Sequence, residues 1–216
     1  MKKLLGLITV LFVSLMLSFS SCTNCSNQPT NEVKAQVVAN AAIDVDHAIA
    51  MDRQAMYLKF GDNYRWYETC IRLPHFLDSD SVTSNPDMLV NIFQSLEEFD
   101  NGADIYVWKF QHFPDGTVLK DSIHGFWIED CALNEDTIKL NYNAAFEKML
   151  QVNLPKPHSK NVVLRNPIGP IGVNAQWVFG NINEQIWIDA VTGKASNSNP
   201  AFPKEKGFKM PLGEWP

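Results

Sequence analysis

The chain has 216 residues, 45% of them hydrophobic and 11% aromatic, enough to bury a substantial core and to exclude intrinsic disorder for its bulk. It carries 24 Asp and Glu against 18 Lys and Arg, a net charge of −6, with no basic run. Such a balance repels phosphate backbones and argues against a nucleic-acid partner.

In chain order, Lys2 and Lys3 precede an apolar run from Leu4 to Phe19, and Ser20-Ser21-Cys22 follows. A positive start, an apolar stretch and small residues before a cleavage point have the form of a secretory signal. The cysteine directly after it resembles the junction of a bacterial lipoprotein. That resemblance implies that residues 1–21 are removed and that Cys22 carries lipid, holding the protein on the cell envelope. Two acyl chains suffice for stable anchoring. The apolar run is short for a ~20-residue transmembrane span. Removing the leader takes two lysines and no acid, so the net charge moves from −6 to −8. Residues 22–35, polar and containing Pro29, read as a tether.

The body is expected to begin at residue 36. Val38, Ala42, Val45 and Ile49 recur at helical spacing and predict a helix from Gln36 to about Asp52. Met56–Phe60 and Tyr64–Leu73, joined by Gly61-Asp62-Asn63, read as a hairpin. Residues 78–85 form a loop. Asp78-Ser79-Asp80 could open a calcium loop, but Thr83 and Leu89 stand where that motif needs Gly and Glu. Asn85-Pro86-Asp87 has the form of a helix start, and Leu89, Ile92, Phe93 and Leu96 would be the buried stripe, with Asn101-Gly102 as its end.

Asp104–Phe113 and Thr117–Asp130 read as strands around Pro114-Asp115-Gly116, a strong hairpin signal. A second helix is expected over Tyr142–Val152, then a loop over 153–161 marked by Pro155 and Pro157. Val162–Arg165, Ala175–Phe179 and Gln185–Val191 read as strands, with the glycines of 166–172 in a loop, and residues 196–216 as an irregular tail. Along Asp104–Phe113 both faces are apolar, Ile105 and Val107 on one, Tyr106, Trp108 and Phe110 on the other. The second face should therefore be covered by another unit, by the tail or by a second copy, which leaves room for a homodimer.

GFWIED (125–130) and QIWIDA (185–190) both place Trp-Ile-acid at the end of a strand-like run. A helix-plus-strands unit could therefore occur twice, with Trp127 and Trp187 in equivalent places when 85–131 is laid on 141–193. Coincidence between two apolar strands is the alternative.

Catalytic and metal patterns fail in turn. Ser122 and His124 share a strand face, but the serine lacks the sharp Gly-x-Ser-x-Gly elbow. His47, His75, His112, His124 and His158 never pair at metal-ligand spacing. Glu97, Glu98, Asp100, Glu129, Asp130, Glu135 and Asp136 cluster in sequence, which does not place two carboxylates across a cleft. No cofactor fingerprint is present. Cys70 and Cys131 lie in the body; an oxidising compartment permits a bridge between them, and two buried free thiols is the other reading. Asp189, just before Thr192-Gly193, reads as a corner residue whose carboxylate accepts backbone N–H bonds, with Gly193 at positive φ.

The stretch IKLNYNAAFEKML (138–150), followed by strands and then IWIDAVTGKA (186–195), resembles a PepSY-type domain. The matching positions are Leu140, Ala144, Ala145, Ile186, Ile188, Asp189, Ala190, Thr192 and Gly193. The resemblance covers residues 136–195. A tandem arrangement would be similar to periplasmic β-lactamase-inhibitor-like proteins. It implies a helix packed on a twisted antiparallel sheet, no catalytic residues, and a bias toward binding proteins or peptides.

The reading that follows is α+β: helices on twisted antiparallel sheets in two similar units, 36–135 and 136–195, after a signal (1–21) and a tether (22–35), with a tail over 196–216. The expected function is non-enzymatic: a lipid-anchored envelope protein, facing the periplasm or cell surface, that binds or inhibits another protein such as a peptidase. No cofactor or metal is expected. The alternative is a cell-surface binder of small molecules or glycans using exposed aromatics, and a third reading is a hydrolase whose residues converge only in three dimensions.

Overall fold

The computed structural model describes residues 42–99, 102–128 and 130–202, within one compact unit spanning 38–216. The signal, the tether with Cys22 and most of the tail lie outside the described residues. Helix α1 (Val45–Phe60) is followed by strands β1 (Tyr64–Arg72), β2 (Met88–Phe99), β3 (Gly102–His112) and β4 (Val118–His124). A short β5 (Asp130–Cys131) and a 3-10 turn (Glu135–Thr137) lead to α2 (Tyr142–Gln151). Strands β6 (Asn161–Pro167), β7 (Gln176–Asn181), β8 (Glu184–Asp189) and β9 (Ala195–Ser196) complete it.

The fold is α+β and dominated by one antiparallel sheet, in the order β4-β3-β2-β1-β6-β7-β8-β9, with β5 added beside β6. The expectation of several sheets is corrected: β1 pairs with β6 through Cys70 and Val163, so the strands form one continuous surface. Paired residues share a face. Ile71, Leu89, Phe93 and Phe110 therefore lie on the same side as Val162, Leu164, Trp177, Phe179, Ile186 and Ile188, and all ten are buried. Both helices feed this one core: α1 through Val45, Ala48, Ile49 and Met56, α2 through Tyr142, Ala145, Phe146 and Met149.

Asp44 caps α1 by accepting from His47 N at 3.0 Å, and Gly61 at φ +58° ends it. This corrects the expected helix end at Asp52 and the expected strand over Met56–Phe60. Gly61-Asp62-Asn63 ends a helix instead of joining two strands. The part of the predicted helix before Ala42 lies outside the described residues. The predicted helix over 87–99 is a strand. Its sequence fits both periods, since Leu89, Asn91, Phe93 and Ser95 also alternate with Val90, Ile92 and Gln94. Pairing on both sides, with β1 and β3, decides for the strand. Strand β4 stops at His124, six residues short of the expected Asp130, because Gly125 takes φ +141°.

The proposed equivalence of Trp127 and Trp187 also fails. Trp187 lies in β8, whereas Trp127 belongs to no strand.

Candidate functional site

Among the described residues strand β4 is the edge of the sheet, bonded only to β3, and each of its seven residues is exposed. Its alternation can be oriented from the bonds that flank it. Phe113 N donates to Thr117 O at 3.0 Å, and Gly125 N donates to Ile105 O at 2.8 Å. The register between these points is unbroken, so Leu119, Asp121 and Ile123 direct their backbone groups at β3. Val118, Lys120, Ser122 and His124 direct theirs outward. The outward N–H of Ser122 is met by the neighbouring Asp121 Oδ1 at 2.8 Å.

The side chains of Leu119, Asp121 and Ile123 stand on the face away from the helices, because their β3 partners Gln111, Lys109 and Val107 alternate with the core residues Phe110 and Trp108. Leu119 is 54% and Ile123 53% exposed. The chain then folds back over the same face, where Trp127 N donates to Gln94 Oε1 at 2.9 Å. On either side of that anchor Phe126 and Ile128 are 68% and 78% exposed. Four large apolar side chains thus stand exposed within ten residues at one edge.

The residues singled out in the sequence are placed as follows. Asp189 Oδ1 accepts from Val191 N at 2.9 Å and Thr192 N at 2.7 Å, and Asn174 Nδ2 donates to its Oδ2 at 3.0 Å. Burial pushes its pKa up, and the bonds from Thr192, Asn174 and Val191 outweigh this and leave it below the ordinary value. Gly193 sits at φ +71° and donates its N–H to Asp189 O at 2.8 Å. Cys70 and Cys131 are both free thiols, Cys70 half-buried and Cys131 exposed, so neither the bridge nor a pair of buried thiols describes them. Ser122 and His124 lie on the open edge, with His124 Nε2 at 3.4 Å from Asp104. Trp66, Trp177 and Trp187 are buried and Trp108 and Trp127 half-buried, so the described tryptophans form no exposed platform.

Two polar centres escape sequence reasoning because their members are scattered along the chain. Asp52 on α1 receives Asn91 Nδ2 and His112 Nε2, each at 2.7 Å on Oδ2, and Thr69 Oγ1 donates to Asn91 Oδ1 at 2.6 Å. This network ties α1 to three strands. His112 also borders a 450 Å³ groove beside Met51 and Lys120. On the other face Glu68 and Asp130 are both buried. Cys70 Sγ donates to Glu68 Oε1 at 2.6 Å, and Arg165 Nε to Asp130 Oδ1 at 2.6 Å. Burial and a hydrogen bond with Asp130 push Glu68 up to about 7, against smaller opposing effects of Cys70 and Arg165. Burial, with the Glu68 charge, also pushes the Cys70 thiol up, which makes it a poor nucleophile. Burial thus favours the protonated form of Glu68, and the buried Asp130, held by Arg165, joins the β4–β6 connection to the sheet centre.

A cleft of 810 Å³ lies beside α1 and is lined by Tyr57, Tyr64, Trp66, Arg53, Arg65 and Asp62 among others. Among the described residues, no group of three or more His, Cys, Asp or Glu is arranged to hold a metal ion, and no helix is long and apolar enough to cross a membrane. No protein-family model, curated protein or solved structure matches this chain.

Proposed function

We propose that this is a non-enzymatic binding module of the bacterial cell envelope, lipid-anchored through Cys22, that binds or inhibits another protein, with a peptidase as one candidate target. The observation that carries the binding role is the exposed apolar row of Leu119, Ile123, Phe126 and Ile128 at the β4 edge. A PepSY-type relationship and a twofold internal repeat belong to the same reading. Their support is the element order: α1 is followed by β1-β2-β3-β4, then by the short β5 and a 3-10 turn, and α2 by β6-β7-β8-β9, with the two sets meeting at β1 and β6.

A photo-crosslinking side chain at position 126, compared with one at position 58 on the far side of α1, tests the binding role in cells. A discrete protein adduct from position 126 and none from 58 is expected. Equal labelling from both, or none from 119, 123 and 126, overturns the reading. Mass spectrometry of the membrane fraction should find a lipid-modified Cys22 peptide at the mature N-terminus, and an unmodified start at another residue removes the anchor.

A second reading, binding of a small molecule or glycan, is favoured by the 810 Å³ cleft, where Tyr57 and Tyr64 stand beside Arg53, Arg65 and Asp62. Aromatic faces with planar polar groups suit a sugar ring. Thermal stabilisation by soluble oligosaccharides that is lost in Tyr57→Ala would support it over the protein-binding reading.

A further inference from the structure

We infer that β4 accepts an extended peptide strand from the partner, paired antiparallel, with a basic residue opposite Asp121 and apolar residues two positions to either side of it. This rests on the protein-binding reading and names the partner's chemistry.

The backbone supplies the first half of the argument. The outward groups of Val118, Lys120, Ser122 and His124 form a regular row of donors and acceptors at one-residue intervals of two, the template that strand addition uses. Lys120 and Ser122 would then form the hydrogen-bonded pairs with an incoming strand. Asp121 would fall in the intervening pair, where opposed Cα atoms approach to about 4.5 Å and side chains interact most closely. Leu119 and Ile123 flank Asp121 on the same face, so they would meet the residues two places before and after the one opposite Asp121.

Charge supplies the second half, and it disfavours a second copy of this chain as the occupant. Two copies of β4 joined antiparallel across a twofold axis must place one residue opposite itself. The register that pairs all seven residues puts Asp121 against Asp121, one neighbouring register puts Lys120 against Lys120, and the other puts Ser122 against itself and leaves Asp121 opposite the apolar Ile123. Like charges directly opposed are destabilising. A strand with a cation at the centre avoids this. Asp121 also blocks the edge in the free protein, since its carboxylate occupies the outward N–H of Ser122. A cation arriving opposite Asp121 draws the carboxylate away and frees that N–H for the ladder, whereas an acidic or apolar residue leaves it covered. Lys109, beside Asp121 on β3, is half-buried and faces it from the inner side only.

The test uses the soluble full-length body and a blocked nonapeptide with lysine at its centre, valine two residues to each side and threonine elsewhere, against the same peptide with central glutamate. The lysine peptide should bind about tenfold tighter, and Asp121→Lys should reverse the preference. On saturation the amides of Lys120, Ser122 and His124 should gain protection from hydrogen exchange, with those of Leu119, Asp121 and Ile123 unchanged. Ser122→Pro removes an outward N–H at an edge that tolerates proline, so it should abolish peptide binding at an unchanged melting temperature. Equal affinity for the two peptides, unprotected outward amides, or a dimer in sedimentation that protects the same amides each overturns the inference. A partner that crosslinks to position 126 but is unaffected by Ser122→Pro sinks the strand pairing alone and leaves the protein-binding reading standing.

Discussion

Beneath α1 the apolar contact of Val45, Ala48, Ile49 and Met56 is joined by a polar network of Asp52, Asn91, Thr69 and His112, whereas beneath α2 the sheet meets Tyr142, Phe146 and Met149 with Trp177, Phe179, Ile186 and Ile188. The second contact holds Tyr142 tilted against Trp177 at 5.6 Å and Phe146 edge-on to Phe179 at 6.1 Å, and one bond from Trp177 Nε1 to Leu140 O. The two ends of the sheet differ as well. On the α2 side the edge is β9, two residues long and held by the Asp189 corner; on the α1 side it is β4, seven residues with outward groups exposed. Directional bonds add to apolar packing in holding α1, and apolar packing holds α2. Among the described residues, the longer open edge belongs to the α1 half.

The largest effects should come from breaking each core in its own terms. Met149→Ala opens a cavity under α2 and should cost about 2–5 kcal/mol. Asp52→Ala leaves Asn91 and His112 without their acceptor and should cost about 2–4 kcal/mol, although it removes little apolar area. Denaturant titration measures both. Asp52→Asn, which can still accept one bond, should recover about half of that loss; a full loss in Asp52→Asn would mean that the charge itself holds the network.

At the join between the two halves, Glu68 makes stability depend on pH. Its native pKa of about 7 lies above the ordinary value of 4.5, so the folded state binds more protons between these limits. The contribution is therefore complete below about pH 4.5 and is lost as pH rises through 7, amounting to roughly 2–3 kcal/mol. In Glu68→Gln the corresponding fall in melting temperature between pH 4.5 and 7 should vanish, with the variant the more stable at pH 8. Parallel curves for the two proteins would show that the Glu68 carboxyl is not raised in the folded state.

Smaller effects are expected at the edges. Asp189→Ala and Gly193→Val should each cost on the order of 1–3 kcal/mol, the first by freeing the Val191 and Thr192 N–H groups and the second by straining φ +71°. An unchanged melting temperature in Asp189→Ala together with a lost activity would make this carboxylate functional. At the opposite edge Ser122→Pro and Leu119→Lys should change stability by less than about 0.5 kcal/mol while removing partner binding. A large loss of stability there would erase the contrast between the edges.

Some of this organisation is legible in the residues. The Pro114-Asp115-Gly116 turn, α2 over Tyr142–Gln151 and the three strands after it follow from local chemistry: a glycine at φ +83°, the Asn141 cap on Ala144 N, and short β-branched runs between turn residues. The Asp189 corner is legible because all its bonds span fewer than six residues apart from that to Asn174. The error over 87–99 has a physical origin: MLVNIFQSLEEF satisfies helical and strand spacing alike, and its neighbours decide. The edge role of β4 cannot be read at all from Val118–His124, since exposure depends on which strand fails to arrive beside it.

The same division accounts for the two polar centres. Asp52, Thr69, Asn91 and His112 are ordinary surface residue types in the sequence, and they become one network because α1 crosses three strands. Glu68 and Asp130 stand 62 positions apart, and only the crossing from β4 back to β6 buries them together. The sequence by itself determines the turns, the caps, the apolar content and the acidic charge, because these act over one to four residues or over the whole composition. Strand order, the open β4 edge and the raised Glu68 pKa were decided only by tertiary structure, because each depends on groups brought together across long separations.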